Sequence, residues 1–269
     1  METPEEVNPA RPPDSSPVGP ETELAQAQVA DLQRQLAQAR QVLEDFTYSV
    51  SHDLRAPLRH VASYLKIIRE DLGDAVDPGI LSHLQTAGDA AVQMGRLMDG
   101  LLELSRTGRV ELQPSRVELQ RVVAEVREKL APAIAERRIL WRVAPDLPAV
   151  HGDLALLGQM LLCLLDNAVK FTRQSEAASI DIGWHAQGDA RCELYIQDNG
   201  AGFDPRFADK LFRVFQRLHS TRQFEGIGVG LALARLIVER HGGSIRAQGE
   251  PGAGCRVSLT LPLASGAAA

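Results

Sequence analysis

Apolar residues between positions 25 and 50 recur in alternating steps of four and three. The series consists of Ala25, Val29, Leu32, Leu36, Ala39, Leu43, Phe46 and Val50. This spacing predicts a coiled coil over residues 21–45. A single amphipathic helix lying on the rest of the protein is the alternative, but the Gln, Ala and Arg content favours self-association.

The apolar pattern continues past position 50 and predicts a helical hairpin over residues 46–108. The first helix carries apolar residues up to Leu72, with a stutter before Leu58 and a kink expected at Pro57. Gly73 and the Asp77-Pro78-Gly79 turn end it, and a second helix follows. A lone hairpin cannot cover its own apolar stripe, so we expect a homodimer built on a four-helix bundle.

After Gly108 the apolar period changes, and residues 109–264 are predicted to form a separate α+β domain. The expected strands are Arg116 to Leu119, Ile139 to Val143, Ser179 to His185, Arg191 to Gln197, Gly243 to Ala247 and Cys255 to Leu261. The expected helices are Leu119 to Ala135, Leu154 to Phe171 and Val229 to Arg240. This order predicts an α/β sandwich with helices on one face of a mixed sheet.

The composition of the chain predicts disordered ends and limits the possible partners and cellular location. The proline-rich segment 1–20 predicts a disordered leader, and we also expect a disordered tail over 265–269. The net charge of −6 argues against nucleic acid as a partner. No apolar run approaches the length needed to cross a bilayer, and the N-terminal region lacks the pattern of a signal peptide, so we expect a cytoplasmic protein without membrane insertion. Cys163, Cys192 and Cys255 fit no metal-ligand spacing and are expected to be reduced.

His52 is the first candidate for chemistry. It lies two residues from Val50 and two from Leu54, both on the buried stripe, so helical geometry directs His52 to solvent. One ring nitrogen can act as a nucleophile while an acceptor holds the proton on the other. Asp53 is the nearest acceptor, although adjacent helical residues do not ordinarily face each other.

A second group of candidates lies in the α+β domain. Asn167 and Lys170 are three residues apart on one helix face, where an amide oxygen suits Mg²⁺ and an ammonium suits phosphate. Asp198 ends a strand and is followed by Gly200 and Gly202, which let backbone approach a flat ligand. A glycine-rich run then opens a helix, where free N–H groups favour phosphate; it contains Gly226, Gly228, Gly230 and Leu231. Each feature alone also fits an ordinary polar edge, loop or cap.

The segment from Phe203 to Phe224 lacks a clean period and predicts a mobile lid with hinges at Gly202 and Gly226. Within it, Phe212 and Phe215 are expected to anchor the lid on the core. His219 is interpreted as a solvated lid residue, with an approach to a nucleotide as the alternative.

The order of these elements resembles the sensor histidine kinases, in which a dimerising hairpin precedes a GHKL-type ATP-binding domain of Bergerat fold. The resemblance extends from about Phe46 to Leu263. Its H box is FTYSVSHDLRAPL, its N box QMLLCLLDNAVKFT, and its two glycine boxes are DNGAG and GIGVGL. LFRVFQRLHS followed by FEGIGVGL looks most similar to the phytochrome-related branch.

The resemblance implies a role for each matching residue. His52 would be the phosphoacceptor with Asp53 as its acidic partner, and Asp198 would accept the adenine amino group. Asn167 would be the Mg²⁺ ligand. Phosphate contacts would come from Lys170, Arg217 and the glycines of the second box. The implied activity is ATP-dependent autophosphorylation of His52, followed by transfer to an aspartate on a response regulator receiver domain.

Three residues depart from the family pattern. Cys163 occupies a position that is commonly a second Asn, which puts strong metal binding in doubt. Ala56 stands where Thr or Asn often positions a hydrolytic water, so we expect weak phosphatase activity. Ile227 replaces a frequent Thr in the second glycine box, but the backbone donors remain.

Two competing functions remain open from the sequence. One is another ATPase of the same nucleotide fold, of the chaperone or mismatch-repair type, although these lack an H box on a dimerising helix. The other is an ATP-gated dimeric scaffold in which His52 is idle. In the kinase interpretation, an upstream sensor protein could deliver the signal through the coiled coil.

Overall fold

The computed structural model describes residues 20–73, 77–220 and 223–264. The expected tail and, apart from Pro20, the expected leader lie outside the described residues. The chain divides into two units, 1–46 and 47–269. In the first unit, residues 20–46 are helical, and Val29, Leu32 and Phe46 of the apolar series predicted to form a coiled coil are exposed.

The second unit begins within a long helix, which forms a hairpin with the helix that follows it. Helix α1 is Pro20–Leu72 and helix α2 is Pro78–Arg109. Pro57 lies inside α1 without ending it, and the Asp77 carboxylate caps α2 by accepting from the Gly79 N–H at 2.7 Å. The hairpin and the α/β sheet domain that follows it confirm the predicted fold class.

The sheet domain alternates strands and helices. In chain order its elements are β1 (Ser115–Glu118), α3 (Leu119–Leu130), β2 (Ile139–Val143), β3 (Ala149–Gly152), α4 (Leu154–Phe171), β4 (Ala178–Gln187), β5 (Arg191–Asp198), α5 (Gly230–Arg240), β6 (Ile245–Glu250) and β7 (Gly254–Pro262). Two short 3₁₀ segments, Ala131–Ile134 and Pro205–Lys210, accompany them. The bounds of β2 and α4 agree with the sequence prediction.

The main sheet has five strands in the order β2-β4-β5-β7-β6. The β2–β4 pair is parallel and the other pairs are antiparallel. A separate two-stranded antiparallel sheet joins β1 to β3. The carboxyl end of β5 therefore lies in the middle of the main sheet, where Asp198 is positioned next to β7.

One face of the main sheet is covered by helices and holds the core. Helix α4 packs between α3 and α5, and its Leu157, Leu161 and Leu165 are fully buried. By length and composition alone, α4 could cross a bilayer, contrary to the sequence expectation for apolar runs. A buried core helix meets the same criterion, and these leucines are core residues.

Strand β6 begins and ends a few residues later than predicted. Two larger differences concern a helix end and an additional strand. The helix expected to reach Ala135 ends at Leu130 and continues as a 3₁₀ turn, because Pro132 lacks the N–H that an α-helix needs. Strand β3 was not predicted. It has four residues, and its pairing with β1 rather than its own pattern defines it.

Candidate active site

The side chain of His52 is exposed on α1, as predicted. Its Nδ1 lies 3.1 Å from Asp53 Oδ1, and 64% of the side chain is accessible. Because a carboxylate accepts, Nδ1 carries the proton in this contact and the lone pair lies on Nε2. The ring of Tyr48, one turn earlier, is stacked with the imidazole at 6.4 Å between centroids. The two neighbours orient a nucleophilic nitrogen toward solvent.

A cavity of about 280 Å³ lies where α4, the end of β5 and the start of α5 meet. The predicted ligand-binding residues that line it are Asn167, Lys170, Asp198, Gly202, Arg217, Gly226, Gly228, Gly230 and Leu231. Gly200 belongs to the adjoining loop, and the cavity lining does not include His52 or Asp53. The fold thus assembles the predicted binding residues and keeps the histidine on a separate element.

Asn167 and Lys170 lie next to each other on the cavity side of α4. Lys170 Nζ donates to Asn167 Oδ1 at 2.7 Å. Burial lowers the pKa of Lys170, and the nearby Arg217 guanidinium lowers it further, while Asp166 opposes the effect. An oxygen that already accepts from an ammonium can accept a metal cation, and a partly buried ammonium favours an anionic ligand.

Asp198 is a buried carboxylate in the lining of the cavity. Its residue is only 7% exposed, and Oδ1 accepts from the Gly200 N–H at 2.8 Å. Burial raises its pKa to about 6, although backbone N–H groups of Gly200 and Cys255 oppose the shift. A buried carboxylate that pairs with no described cationic side chain suits a ligand that brings N–H donors.

The loop after Asp198 needs glycine at position 202. Gly202 has a φ of +61°, and a methyl group there would overlap the carbonyl oxygen of Glu250. The loop is also tied to α4, because the Ala201 N–H donates to Phe171 O at 3.1 Å. The first glycine box is therefore held between β6 and the end of α4.

The second glycine box leads into α5. Gly228 has a φ of +76°, and a methyl group there would lie 2.7 Å from Gln216 O. Val229 is the N-cap residue of α5, and no described side chain caps that helix end by a hydrogen bond. The first N–H groups and the positive end of the helix dipole therefore remain available to an anion.

The two phenylalanines that were predicted to anchor the lid on the core, Phe212 and Phe215, differ in burial. Phe212 is buried in a small cluster with Phe203 and Ala247, as predicted. Phe215 is 42% exposed, so its predicted anchoring role is wrong. The Arg217 guanidinium donates to Phe224 O at 2.5 Å, which stabilises the lid.

His219 is half-buried, so its interpretation as a solvated residue is wrong. Its ring packs against Phe171 and Phe224, with centroid distances of 5.3 and 5.2 Å. Its Nε2 donates to Gly202 O at 2.8 Å. His219 therefore joins the lid to the first glycine box, a link that depends on tertiary packing and leaves no mark in the local sequence pattern.

Cys163 also lines the cavity. Burial raises the pKa of its thiol to about 12, so the sulfur carries no charge near neutral pH. Among the described residues, no cluster of three or more His, Cys, Asp or Glu side chains could hold a metal. The donor set consequently fits a cation that takes one oxygen from Asn167 and the rest from phosphate and water, as Mg²⁺ commonly does.

Two family models match the chain in the order that the motifs suggested. Residues 42–109 match the His Kinase A (phospho-acceptor) domain. Residues 152–265 match the histidine kinase-, DNA gyrase B- and HSP90-like ATPase. The first match contains His52, and the second contains every residue that was predicted to bind nucleotide.

Individual relatives agree with these matches. The chain is 33% identical to cyanobacterial phytochrome B of Nostoc sp. (strain PCC 7120), covering 87% of this chain and 31% of that protein. It is 32% identical to adaptive-response sensory kinase SasA of Synechococcus sp. (strain JA-2-3B'a(2-13)), covering 92% of this chain and 68% of that protein. The chain thus spans about a third of the length of the phytochrome relative.

A solved structure of similar fold is full-length ShkA in complex with AMPPNP. It has a TM-score of 0.59 and 26% sequence identity, and the match covers 83% of this chain and 47% of that one. The likeness therefore includes most of the described hairpin and sheet domain.

Proposed function

Because the chain belongs to the sensor histidine kinases, we propose that it binds ATP, phosphorylates its own His52 and passes the phosphoryl group to an aspartate on a receiver domain. The observation that carries this proposal is the joint occurrence of two sites. An exposed histidine has its Nδ1 paired with a carboxylate, and a separate cavity gathers the predicted ATP-binding residues.

ATP would bind with its base at Asp198 and its phosphates at the N-terminal end of α5. The ionised Asp198 would accept from the adenine amino group, and apolar walls such as Ile196 and Ala247 would contact the ring. The side chains of Lys170 and Arg217 would bind the phosphates. Backbone N–H groups of the second glycine box, from Gly226, Gly228, Gly230 and Leu231, would bind them as well. Gly200 and Gly202 would keep the first glycine box close to the base.

Mg²⁺ would be held by Asn167 together with the phosphates. When bound, the cation neutralises charge that develops on the transferred phosphoryl group. The protein side chains supply further positive charge, because Lys170 and Arg217 lie in the same cavity. Lys170 would exchange its contact with Asn167 for a phosphate oxygen as the nucleotide enters.

His52 would attack the γ-phosphorus through Nε2. The new N–P bond forms as the bond to the bridging oxygen breaks, and ADP leaves with that electron pair. The proton stays on Nδ1, where Asp53 offsets the positive charge that develops on the ring. Phosphotransfer to the receiver aspartate would then regenerate the free imidazole.

We further propose a homodimer, with residues 46–108 forming the phosphotransfer hairpin and 109–264 the catalytic domain. Leu54, Val61 and Ile68 of α1 are each more than 40% exposed in the single chain, which is an unfavourable arrangement for apolar side chains. Packing against a second hairpin would bury them. The coiled coil over residues 21–45 would bring an upstream signal to this bundle in the cytoplasm, where ATP is available.

The test is incubation of the purified chain with γ-labelled ATP and Mg²⁺. We expect an acid-labile, base-stable label that is lost in His52→Gln and kept in His60→Gln, a matched change at another exposed histidine of α1. Transfer of the label to an isolated receiver domain would test the second step. ATP binding without any label would support the scaffold instead, and ATP turnover that survives His52→Gln would support an ATPase.

A further inference from the structure

Helix α2 contacts the sheet domain along one face near its C-terminal end. Gly100, Glu103 and Thr107 lie on this face, because positions three and four apart in a helix are neighbours. We call these three residues the α2 seam. Each of the three residues contacts a different part of the sheet domain: the second glycine box, α4 or α5. Together these contacts determine the position of the sheet domain relative to the hairpin.

Gly100 lies directly against the second glycine box. A methyl group at Gly100 would lie 2.8 Å from Ile227 Cδ1 and 2.7 Å from Val229 Cγ2. Both partner residues alternate with the glycines that are proposed to bind phosphate. Because Gly100 has no side chain, the phosphate-binding loop can lie closer to α2 than it could with any other amino acid at position 100.

Two polar contacts extend the seam toward the end of α2. Gln159 of α4 donates to Glu103 Oε1 at 2.7 Å. The Arg240 guanidinium at the end of α5 donates to Thr107 O and to Val110 O. Carbonyls at a helix C-terminus lack intrahelical partners, so a cation is favourable there.

The α2 seam lies opposite the segment of α1 that contains His52. Arg55 of α1 pairs with Asp99 of α2 at 2.6 Å, and Arg109 lies over the Tyr48 ring at 5.4 Å from its centroid. His52 is between Tyr48 and Arg55, so it is level with the stretch of α2 between residues 99 and 109. That stretch contains the whole seam.

We propose that the α2 seam docks the phosphate-binding loop at the height of His52 for phosphoryl transfer, with Gly100 as the positioning residue that sets the approach. The proposal rests on the autokinase function proposed above. A phosphoryl donor displaced by the width of a methyl group loses reactive geometry, although the nucleotide pocket itself is intact. Nucleotide affinity and transfer rate should therefore respond differently to a change at Gly100.

The experiment compares Gly100→Ala with Gly95→Ala in the full chain. Both changes replace glycine by alanine within α2, but a methyl group at Gly95 would meet nothing within 4 Å. Because both positions lie inside α2, the two substitutions should gain the same helix propensity. At saturating ATP, we expect Gly100→Ala to label His52 at least about tenfold more slowly than Gly95→Ala, with an unchanged KM for ATP.

A second variant protects the test against local misfolding at Gly100. Arg240→Gln removes the contact at the far end of the seam and leaves the phosphate-binding loop unchanged, so it should also lower the labelling rate without changing KM. Equal or faster labelling of Gly100→Ala than of Gly95→Ala would overturn the seam proposal. Absence of label in both wild type and Gly95→Ala would instead overturn the proposed autokinase.

Discussion

Asp198→Asn is expected to stabilise the protein while it weakens nucleotide binding. Burial raises the pKa of Asp198 from an ordinary 3.8 to about 6. This difference corresponds to about 3 kcal/mol, since a tenfold change in an equilibrium constant is worth about 1.4 kcal/mol. The folded protein pays this cost to keep the carboxylate ionised at neutral pH.

The asparagine removes the charge but keeps an oxygen for the Gly200 N–H. It cannot also accept the Cys255 N–H with its amide nitrogen, and such a loss costs about 1–2 kcal/mol. The net expected gain is therefore about 1–2 kcal/mol in the free energy of unfolding at pH 8. For a domain of this size, each kcal/mol raises Tm by about 2–4 °C.

The stability difference between Asp198→Asn and the wild type should depend on pH. The folded state holds the Asp198 proton more tightly than the unfolded state, so wild-type stability attributable to this group decreases as pH rises from about 4 through 6. The advantage of Asp198→Asn should thus be largest at pH 8 and shrink by pH 5. Thermal unfolding of both proteins at these two pH values measures it.

Nucleotide binding should change in the opposite direction. The asparagine replaces a charged acceptor by a group that can present N–H to the adenine amino group, and we expect ADP affinity to fall by about a hundredfold in calorimetry. A variant that is less stable than wild type at pH 8, or a stability difference that does not vary with pH, would refute the reasoning about buried charge.

The remaining predictions concern the loop, the lid, the metal and a helix cap. Gly202→Ala should weaken ADP binding far more than Gly188→Ala, because both have positive φ but only the former is crowded; calorimetry compares them. His219→Phe keeps the ring packing and loses the bond to the glycine box, so Tm should hold while ADP affinity falls. Cys163→Asn offers a second oxygen and should lower the Mg²⁺ concentration for half-maximal labelling. Asp153→Ala removes the N-cap of α4 and should cost about 1–2 kcal/mol in urea unfolding.

The regular elements of the sheet domain were predictable where the local pattern determines them. Helix α4 has a capping Asp153 before a continuous apolar face, and its bounds were predicted correctly. Strand β3 has only four residues and no alternation, so its existence depends on pairing with β1. Long-range pairing of that kind cannot be deduced from a single short segment.

The candidate site was predictable as a set of motifs and not as a set of contacts. Glycines and polar residues at helix and strand ends identified Asp198 and the two glycine boxes. The helical spacing placed Lys170 beside Asn167, and the structure adds that the ammonium donates to the amide oxygen. Nothing in the local pattern predicted that His219 would reach Gly202. The His219 contact depends on how the segment from Phe203 to Phe224 packs against the loop after β5, and local spacing does not determine that packing.

Helix α5 joins the two functional regions of the second unit. Its eleven residues span about 16 Å at 1.5 Å each. Its first turn offers N–H groups to the cavity, and its last residue, Arg240, donates to carbonyls at the end of α2. The phosphate proposed to bind at its first turn and the Arg240 cation at its last would both complement the helix dipole. A single short helix therefore ties the position of the second glycine box to the hairpin that carries His52.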